Sequence, residues 1–209
     1  MNIARWISLT ACALLLAGCG GSTASKPAAP GDPSKTAEKP ADNEAKIAAN
    51  LAKLDKGDRT DAELQKFCAV QTKNRLGSMG VPVKIKIKDK AGEEVEVFLC
   101  CDHCDKEARK DEAKTAARAE DLTIQGHVAK LSPEDRTAAE AQRFCAVEKD
   151  KRLGVMGKPY KLMLKDKDDK EQPVFLCCKG CSDEAKKDAE GTLKIVEEFK
   201  KKYGQPSAK

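Results

Sequence analysis

The sequence predicts an α+β fold: two tandem small modules, each with a helix, a β-hairpin and a helix, that follow a disordered N-terminal tether. Three observations lead to this prediction. Most of the chain repeats itself, each repeat contains a short alternating stretch that is typical of a β-strand, and each ends in a segment rich in Ala, Lys and Glu that favours a helix.

The repeat has a constant offset of 77 residues. A gapless alignment of residues 67–111 with residues 144–188 has 25 identities in 45 positions. Identity of this degree at a constant period indicates a duplication. We therefore predict Cys-rich module 1 at residues 42–122 and Cys-rich module 2 at residues 123–203.

The N-terminal segment predicts a bacterial lipoprotein signal peptide at residues 1–18. Arg5 supplies the positive charge, an apolar run follows, and LAGC ends it at Cys19. In such a lipobox the Cys becomes the mature N-terminus and carries lipid, so Cys19 is the predicted lipidation site. Residues 19–41 are small, polar and Pro-rich, which predicts a disordered tether, and residues 204–209 are predicted to form a flexible tail.

These features predict a protein of the bacterial cell envelope that is attached to the membrane through its N-terminal lipid. Gly20 stands where an Asp would retain a lipoprotein in the inner membrane, which favours the outer membrane, on its periplasmic or surface side. The formal net charge is +5, and acidic and basic residues are interspersed. This pattern is typical of a solvated surface, so we expect an envelope protein as partner and no nucleic acid.

Helix signals occur at equivalent places in both modules. Ser132 is a favourable N-cap and Pro133 suits the first helical position, while Asp55 would cap the equivalent helix of module 1. Residues 106–120 are rich in Ala, Lys, Arg and Glu, which predicts one helix at the end of module 1. Residues 186–203 predict the corresponding helix of module 2.

A hairpin is predicted between these helices. Apolar and charged residues alternate from Val83 to Lys88, as in a half-buried strand, and a turn is predicted at residues 90–92. Val95, Val97 and Leu99 then alternate on the return strand. The same pattern recurs in module 2.

Each module carries four cysteines at equivalent positions where the hairpin leads into a helix. They are Cys68, Cys100, Cys101 and Cys104 in module 1, and Cys145, Cys177, Cys178 and Cys181 in module 2. Cys104 falls in the first turn of the predicted helix, where the helix dipole lowers the pKa of a thiol. Strand alternation places Cys100 and Cys101 on opposite faces, so only one of them is expected to point at a shared ligand unless a bulge intervenes.

The first functional hypothesis is a metal site in each module, with all eight of these cysteines as candidate ligands. Thiolates suit zinc, copper(I) and other soft metal ions. The retention of every cysteine in both copies favours a shared task.

The pattern F-C…G-x-M-G-x-P…V-F-L-C-C-x-x-C resembles the YHS and TRASH modules, small treble-clef-like or zinc-ribbon-like units linked to heavy-metal trafficking and sensing. The resemblance covers residues 64–112 and 141–189. It implies the ligands Cys68, Cys100 and Cys104 in module 1, and Cys145, Cys177 and Cys181 in module 2. Cys101 and Cys178 are additional to the family pattern, and the gap between the first two cysteines is longer than usual.

The alternative hypothesis is a disulfide-stapled structural or interaction lipoprotein without metal. Thiols outside the cytoplasm tend to oxidise, and four cysteines allow three pairings within a module. A bond from Cys68 to one of the vicinal pair would contribute about 3–4 kcal/mol. A redox Cys-x-x-Cys at Cys101 and Cys104 is less favoured, because the βαβ context of that motif is missing.

The other chemically distinctive side chains are few. His103 is a possible ligand in module 1, but Gly180 replaces it in module 2. His127 is expected to face solvent. Met79 and Met156 offer thioethers that suit copper(I), or plug a small core. Two histidines in the whole chain leave little for general base chemistry, so we do not expect an enzyme.

Overall fold

The computed structural model describes residues 40–204. The predicted signal peptide, the lipidation site Cys19 and the predicted tail beyond residue 204 lie outside the described residues, as does the tether up to residue 39. The first described helix begins at Pro40.

Module 1 consists of helices around one antiparallel hairpin, which confirms the predicted α+β class. Its strands pair from Val83 with Leu99 to Lys88 with Glu94. Ile85, Ile87 and Val97 of the hairpin are buried in the core of the module. The elements are α1 (Pro40–Leu51), α2 (Lys56–Gln65), β1 (Val83–Lys88), β2 (Glu94–Leu99), α3 (His103–Ala108) and α4 (Glu112–Val128).

Module 2 repeats this order with its own core and its own hairpin, whose strands pair from Tyr160 with Leu176 to Lys165 with Glu171. The elements are α5 (Pro133–Gln142), β3 (Tyr160–Lys165), β4 (Glu171–Leu176), α6 (Ser182–Lys187) and α7 (Ala189–Tyr203). The predicted cap at Ser132 is confirmed, because its hydroxyl accepts a hydrogen bond from the Asp135 N–H. Asp55 stands at the N-cap of α2, but its side chain makes no capping hydrogen bond.

Helix α4 serves both modules. Its first half contributes Ala116 and Ala119 to the core of module 1, and its second half contributes Ile124 and Val128 to the core of module 2. Ile124 and Val128 are the repeat equivalents of Ile47 and Leu51 in α1. One helix therefore forms the last element of module 1 and the first element of module 2, and the predicted boundary at residues 122 and 123 lies inside it.

The helix predicted over residues 106–120 is broken. Asp111 has φ −149° and ψ 77°, and its carboxylate accepts a hydrogen bond from the Lys114 N–H at the start of α4. In module 2, Asp188 interrupts the predicted helix in the same way, and its carboxylate caps α7 by accepting a hydrogen bond from the Gly191 N–H. An Asp that caps a new helix competes with continuation of the previous one, which is why the helical composition on both sides did not produce a single helix.

A buried glutamine connects helix and hairpin in each module. In module 1, Gln65 donates to the carbonyls of Phe67 and Phe98 and accepts from the Phe98 N–H, at 2.6–2.9 Å. Gln142 makes the equivalent bonds to Phe144 and Phe175. Because a buried amide must be hydrogen-bonded, this residue holds the end of the helix against the second strand.

Within residues 40–204, none of the helices combines the length and the apolar composition that crossing a bilayer requires.

Candidate metal centres

Three separate elements bring three buried thiols together in module 1. Cys68 lies on the loop after α2, Cys100 follows β2, and Cys104 lies in the first turn of α3. Their exposed fractions are 0%, 1% and 5%, and their sulfur atoms all lie within 4.8 Å of one another. This group can hold a metal ion.

Module 2 builds the same group from Cys145, Cys177 and Cys181, which are also buried and whose sulfur atoms also lie within 4.8 Å of one another. The Sγ atoms of Cys177 and Cys181 are 3.6 Å apart. The two modules therefore contain two equivalent groups of three thiols, each able to hold a metal ion.

A fourth, half-buried thiol lies beside each group. The Cys101 sulfur is 3.9 Å from that of Cys100 and 3.9 Å from that of Cys104, while Cys100 and Cys104 are 3.8 Å apart. In module 2 the Cys178 sulfur is 4.0 Å from that of Cys181. The expectation that the vicinal cysteines point away from each other is therefore wrong for module 1.

The reason is where the strand ends. β2 stops at Leu99, so that Cys100 and Cys101 both lie in an irregular bend. The alternation of side chains between two faces applies only within a strand. Both sulfur atoms can therefore turn towards Cys104.

The loop after α2 holds the distant cysteine in place. The Cys68 N–H donates to the Asn74 carbonyl at 3.0 Å, and the Gln71 N–H donates to the Cys68 sulfur at 3.3 Å. In module 2 the Glu148 N–H donates to the Cys145 sulfur at 3.4 Å. These backbone bonds hold the sulfur atom of the distant cysteine in place in both modules.

Burial dominates the electrostatics of the deeper thiols. It raises the pKa of Cys100 to about 11, with the neighbouring Cys68 as a further cause, and it raises the pKa of Cys177 to about 11. Burial also raises the pKa of Cys104 and Cys181. The expectation that the helix dipole lowers the pKa of Cys104 is therefore wrong, because the loss of hydration is the larger effect.

The half-buried thiols behave in the opposite way. Burial by itself raises the pKa of Cys101, but hydrogen bonds from the Cys104 thiol and backbone N–H outweigh it, so that the pKa is lowered. The pKa of Cys178 is lowered mainly by the backbone N–H groups of Cys181 and Gly180. Each module thus places one thiol whose pKa is lowered beside two thiols whose pKa is raised by burial.

The histidines lie apart from the thiol groups. His103 is exposed and belongs to neither group. His127 does not face solvent as expected: it is half-buried, and its Nδ1 lies 2.7 Å from the Gly154 carbonyl, to which it donates. Asn50 makes the equivalent bond to the Gly77 carbonyl at 2.9 Å, so that the position has a structural task in both modules.

Two site-supporting residues went unnoticed in the sequence. Gln65 and Asn74 flank Cys68 and position it through the bonds described above. A signal for the first exists, because Gln142 is its repeat equivalent and stands at the same distance from a cysteine. Asn74 gives no such signal, since Lys151 replaces it and supplies only the backbone carbonyl.

Comparison of the chain with protein-family models, with curated proteins and with solved structures finds no match. The two groups of three thiols, each able to hold a metal ion, are the feature of this chain on which a functional conclusion rests.

Proposed function

We propose that the protein binds two soft metal ions, one in each module, through the three buried cysteines with the half-buried cysteine as a fourth ligand. The arrangement of sulfur atoms in module 1 carries this proposal. Cys100, Cys101 and Cys104 form a nearly equilateral triangle with sides of 3.8–3.9 Å.

The size of this triangle suits coordination. An ion that binds sulfur at about 2.3 Å in a tetrahedral site separates neighbouring sulfur atoms by about 3.8 Å. Disulfide formation would instead pair sulfur atoms at about 2.05 Å and leave the third one over. Three equal separations around one centre therefore support a shared ion, and thiolates select zinc, copper(I) and similar soft ions.

The wider role that we propose is metal buffering or trafficking in the bacterial envelope, or a structural use of the metal while the surface contacts an envelope partner. The LAGC sequence that ends at Cys19 supports a lipid anchor there, and Gly20 supports the outer membrane. The resemblance to YHS and TRASH modules supports the metal.

The competing function is a disulfide-stapled lipoprotein without metal. One observation favours it: the Sγ atoms of Cys177 and Cys181 lie only 3.6 Å apart, so that a small movement would join them. All eight described cysteines are free thiols in the structure. Both hypotheses require these thiols to be close together. A measurement of metal content and of thiol oxidation state distinguishes the two hypotheses.

The decisive experiment is elemental analysis of the full mature chain from its native envelope, with thiols counted on the same sample before and after a chelator. We expect about two ions per chain and cysteines that react with a thiol reagent only after chelation, because bound thiolates are protected. A chain with neither metal nor reactive thiols, whose thiols appear only after reduction, would contradict the proposal and support the disulfides.

The anchor is tested by replacing Cys19. We expect Cys19→Ser to leave the signal peptide uncleaved and the chain without lipid, because serine offers no thiol for the lipid thioether. Mass spectrometry of the N-terminal peptide measures this directly, with Cys12→Ser, in the signal peptide itself, as the matched control. Normal processing of the Cys19 variant would rule out the lipobox.

A further inference from the structure

Each module exposes a methionine on the loop that precedes its hairpin. Met79 is 59% exposed and Met156 is 58% exposed, although both are apolar. They are repeat equivalents, so that the exposure recurs in two independent copies. The alternative that these side chains plug a small core is therefore wrong.

In module 1 this thioether is linked to the metal centre through one side chain. The Asn74 Nδ2 donates to the Met79 Sδ at 3.5 Å and lies 4.0 Å from the Cys100 Sγ. The carbonyl of Asn74 also accepts the N–H of Cys68. A single residue thus contacts the exposed sulfur and two of the three buried cysteines.

The chemistry of a thioether limits which ion this arrangement serves. Thioether and thiolate sulfur together select copper(I), whereas zinc in proteins takes thiolate, imidazole and carboxylate ligands. The three ligands of the thiol group are buried, so an incoming ion first meets sulfur that reaches solvent. In module 1 this sulfur belongs to Met79 and to the half-buried Cys101.

We propose that Met79 is the capture ligand of module 1 for a soft monovalent cation of the copper(I) class, which it passes to the adjacent thiols. This inference rests on the proposed function and deepens it. The transfer is a ligand exchange: the ion leaves the thioether, sulfur–metal bonds form to the cysteines, and the displaced thiol protons go to water. The ion keeps its oxidation state, and no electron is transferred.

Module 2 differs at the linking position. Lys151 stands where module 1 has Asn74, and its ammonium lies 3.6 Å from the Glu148 carboxylate. This side chain is engaged in an exposed ion pair and offers no amide that would link Met156 to the thiols, as the Asn74 amide links Met79 to Cys100. We therefore expect the methionine of module 1 to engage the ion before that of module 2.

The test follows the methionine methyl groups directly. The full chain, labelled with ¹³C-methyl methionine and fully reduced, is titrated with silver nitrate under argon, because Ag⁺ is a redox-inert probe of the same class. Of the four methionines in the sequence, Met1 is the initiator, and the resonances of Met79, Met156 and Met163 are assigned by substitution with leucine. Below one Ag⁺ per chain, we expect the Met79 resonance to shift before that of Met156.

Two controls sharpen the result. Met163 is 43% exposed on β3, where alternate residues face solvent, and its resonance should stay in place. Zinc sulfate should fill the thiols without moving the Met79 resonance.

Met79→Leu should slow the transfer of copper(I) from a competing chelator several-fold and leave the final copper content unchanged, whereas Met163→Leu should match the wild-type rate.

The possible failures are distinguishable. If the thiols bind silver while the Met79 resonance does not move, or if Met79→Leu loads at the wild-type rate, the capture role is overturned and the metal centres stand. If the reduced chain binds neither silver nor zinc at its cysteines, the proposed function is overturned together with this inference.

Discussion

Replacing Cys104 by serine is expected to empty the metal centre of module 1 and to unfold that module. Cys104 is 5% exposed, and its sulfur lies within 4 Å of those of Cys100 and Cys101. A serine hydroxyl is a poor ligand for a soft ion. Structural thiolate sites contribute about 10–16 kcal/mol in small domains, which is as large as the whole stability of a typical domain, about 5–15 kcal/mol.

The measurement is metal content together with amide hydrogen exchange on the full chain. We expect Cys104→Ser to bind about one ion instead of two, with loss of protection in β1 and β2 and retained protection in β3 and β4. Cys101→Ser is the matched control, because this half-buried thiol lies outside the group of three. It should keep both ions and lose affinity in module 1. Equal loss in both variants would contradict the distinction between buried and half-buried ligands.

The second large effect is expected from Gly126→Ala. Gly126 lies on α4 where it crosses α2, and a Cβ added there would lie 2.1 Å from the Leu64 carbonyl oxygen. That atom belongs to the backbone, so the two helices must move apart. We expect the free energy of unfolding to fall by about 2 kcal/mol, because so short a contact with backbone puts the cost of overpacking at about 3 kcal/mol, against the roughly 1 kcal/mol that alanine gains over glycine in a helix.

Gly57→Ala in α2 separates these two contributions. A Cβ at Gly57 would have no neighbour within 4 Å, so only the helix propensity changes. We expect this variant to be more stable by roughly 0.5–1 kcal/mol. Urea unfolding of both variants measures the difference, and a Gly126→Ala chain as stable as wild type would show that the close approach of α2 and α4 is not required.

The equivalent position of module 2 has different packing, which is why the glycine occurs in module 1 alone. The equivalent of Gly126 in module 2 is Tyr203, whose ring packs on that of Phe144 with centroids 5.1 Å apart. Helix α7 can carry a large ring at this position, whereas α4 carries a hydrogen atom and lies against the backbone of α2.

The hairpins could be predicted from the sequence because their signal is local. The alternation from Val83 to Lys88 has the period of a strand, and the observed strand has the same bounds. The Ser132 cap was predicted for the same reason. Propensity and capping act within a few residues, so that they can be read directly from the chain.

Other features depended on a competition that composition does not resolve. Residues on both sides of Asp111 favour helix, yet the capping bond to the Lys114 N–H ended one helix and began another. The orientation of Cys101 depended on the last residue of β2, and a shift of one position reverses the face of a side chain. In both cases the sequence indicates the type of element, but not the residue at which the helix or strand ends.

That cysteines of each module come together could be predicted from the sequence, but their arrangement could not. The recurrence of the cysteines in both modules marks them as a group, and the sequence indicates thioether chemistry for Met79 but not its exposure. The bridge from Asn74 to Met79 and Cys100 spans residues that are distant along the chain. Such contacts arise from tertiary packing, which carries no short-range pattern.

The shared helix has a consequence for what counts as one copy of the repeat. The sequence repeats every 77 residues, but a complete module 1 needs residues 40–128 and a complete module 2 needs residues 112–204, since both include α4. The stretch that was duplicated is therefore shorter than the stretch that folds. The two stretches that each contain one complete module overlap by the whole of α4, and a third copy would extend the protein as one continuous array with a common helix at every junction.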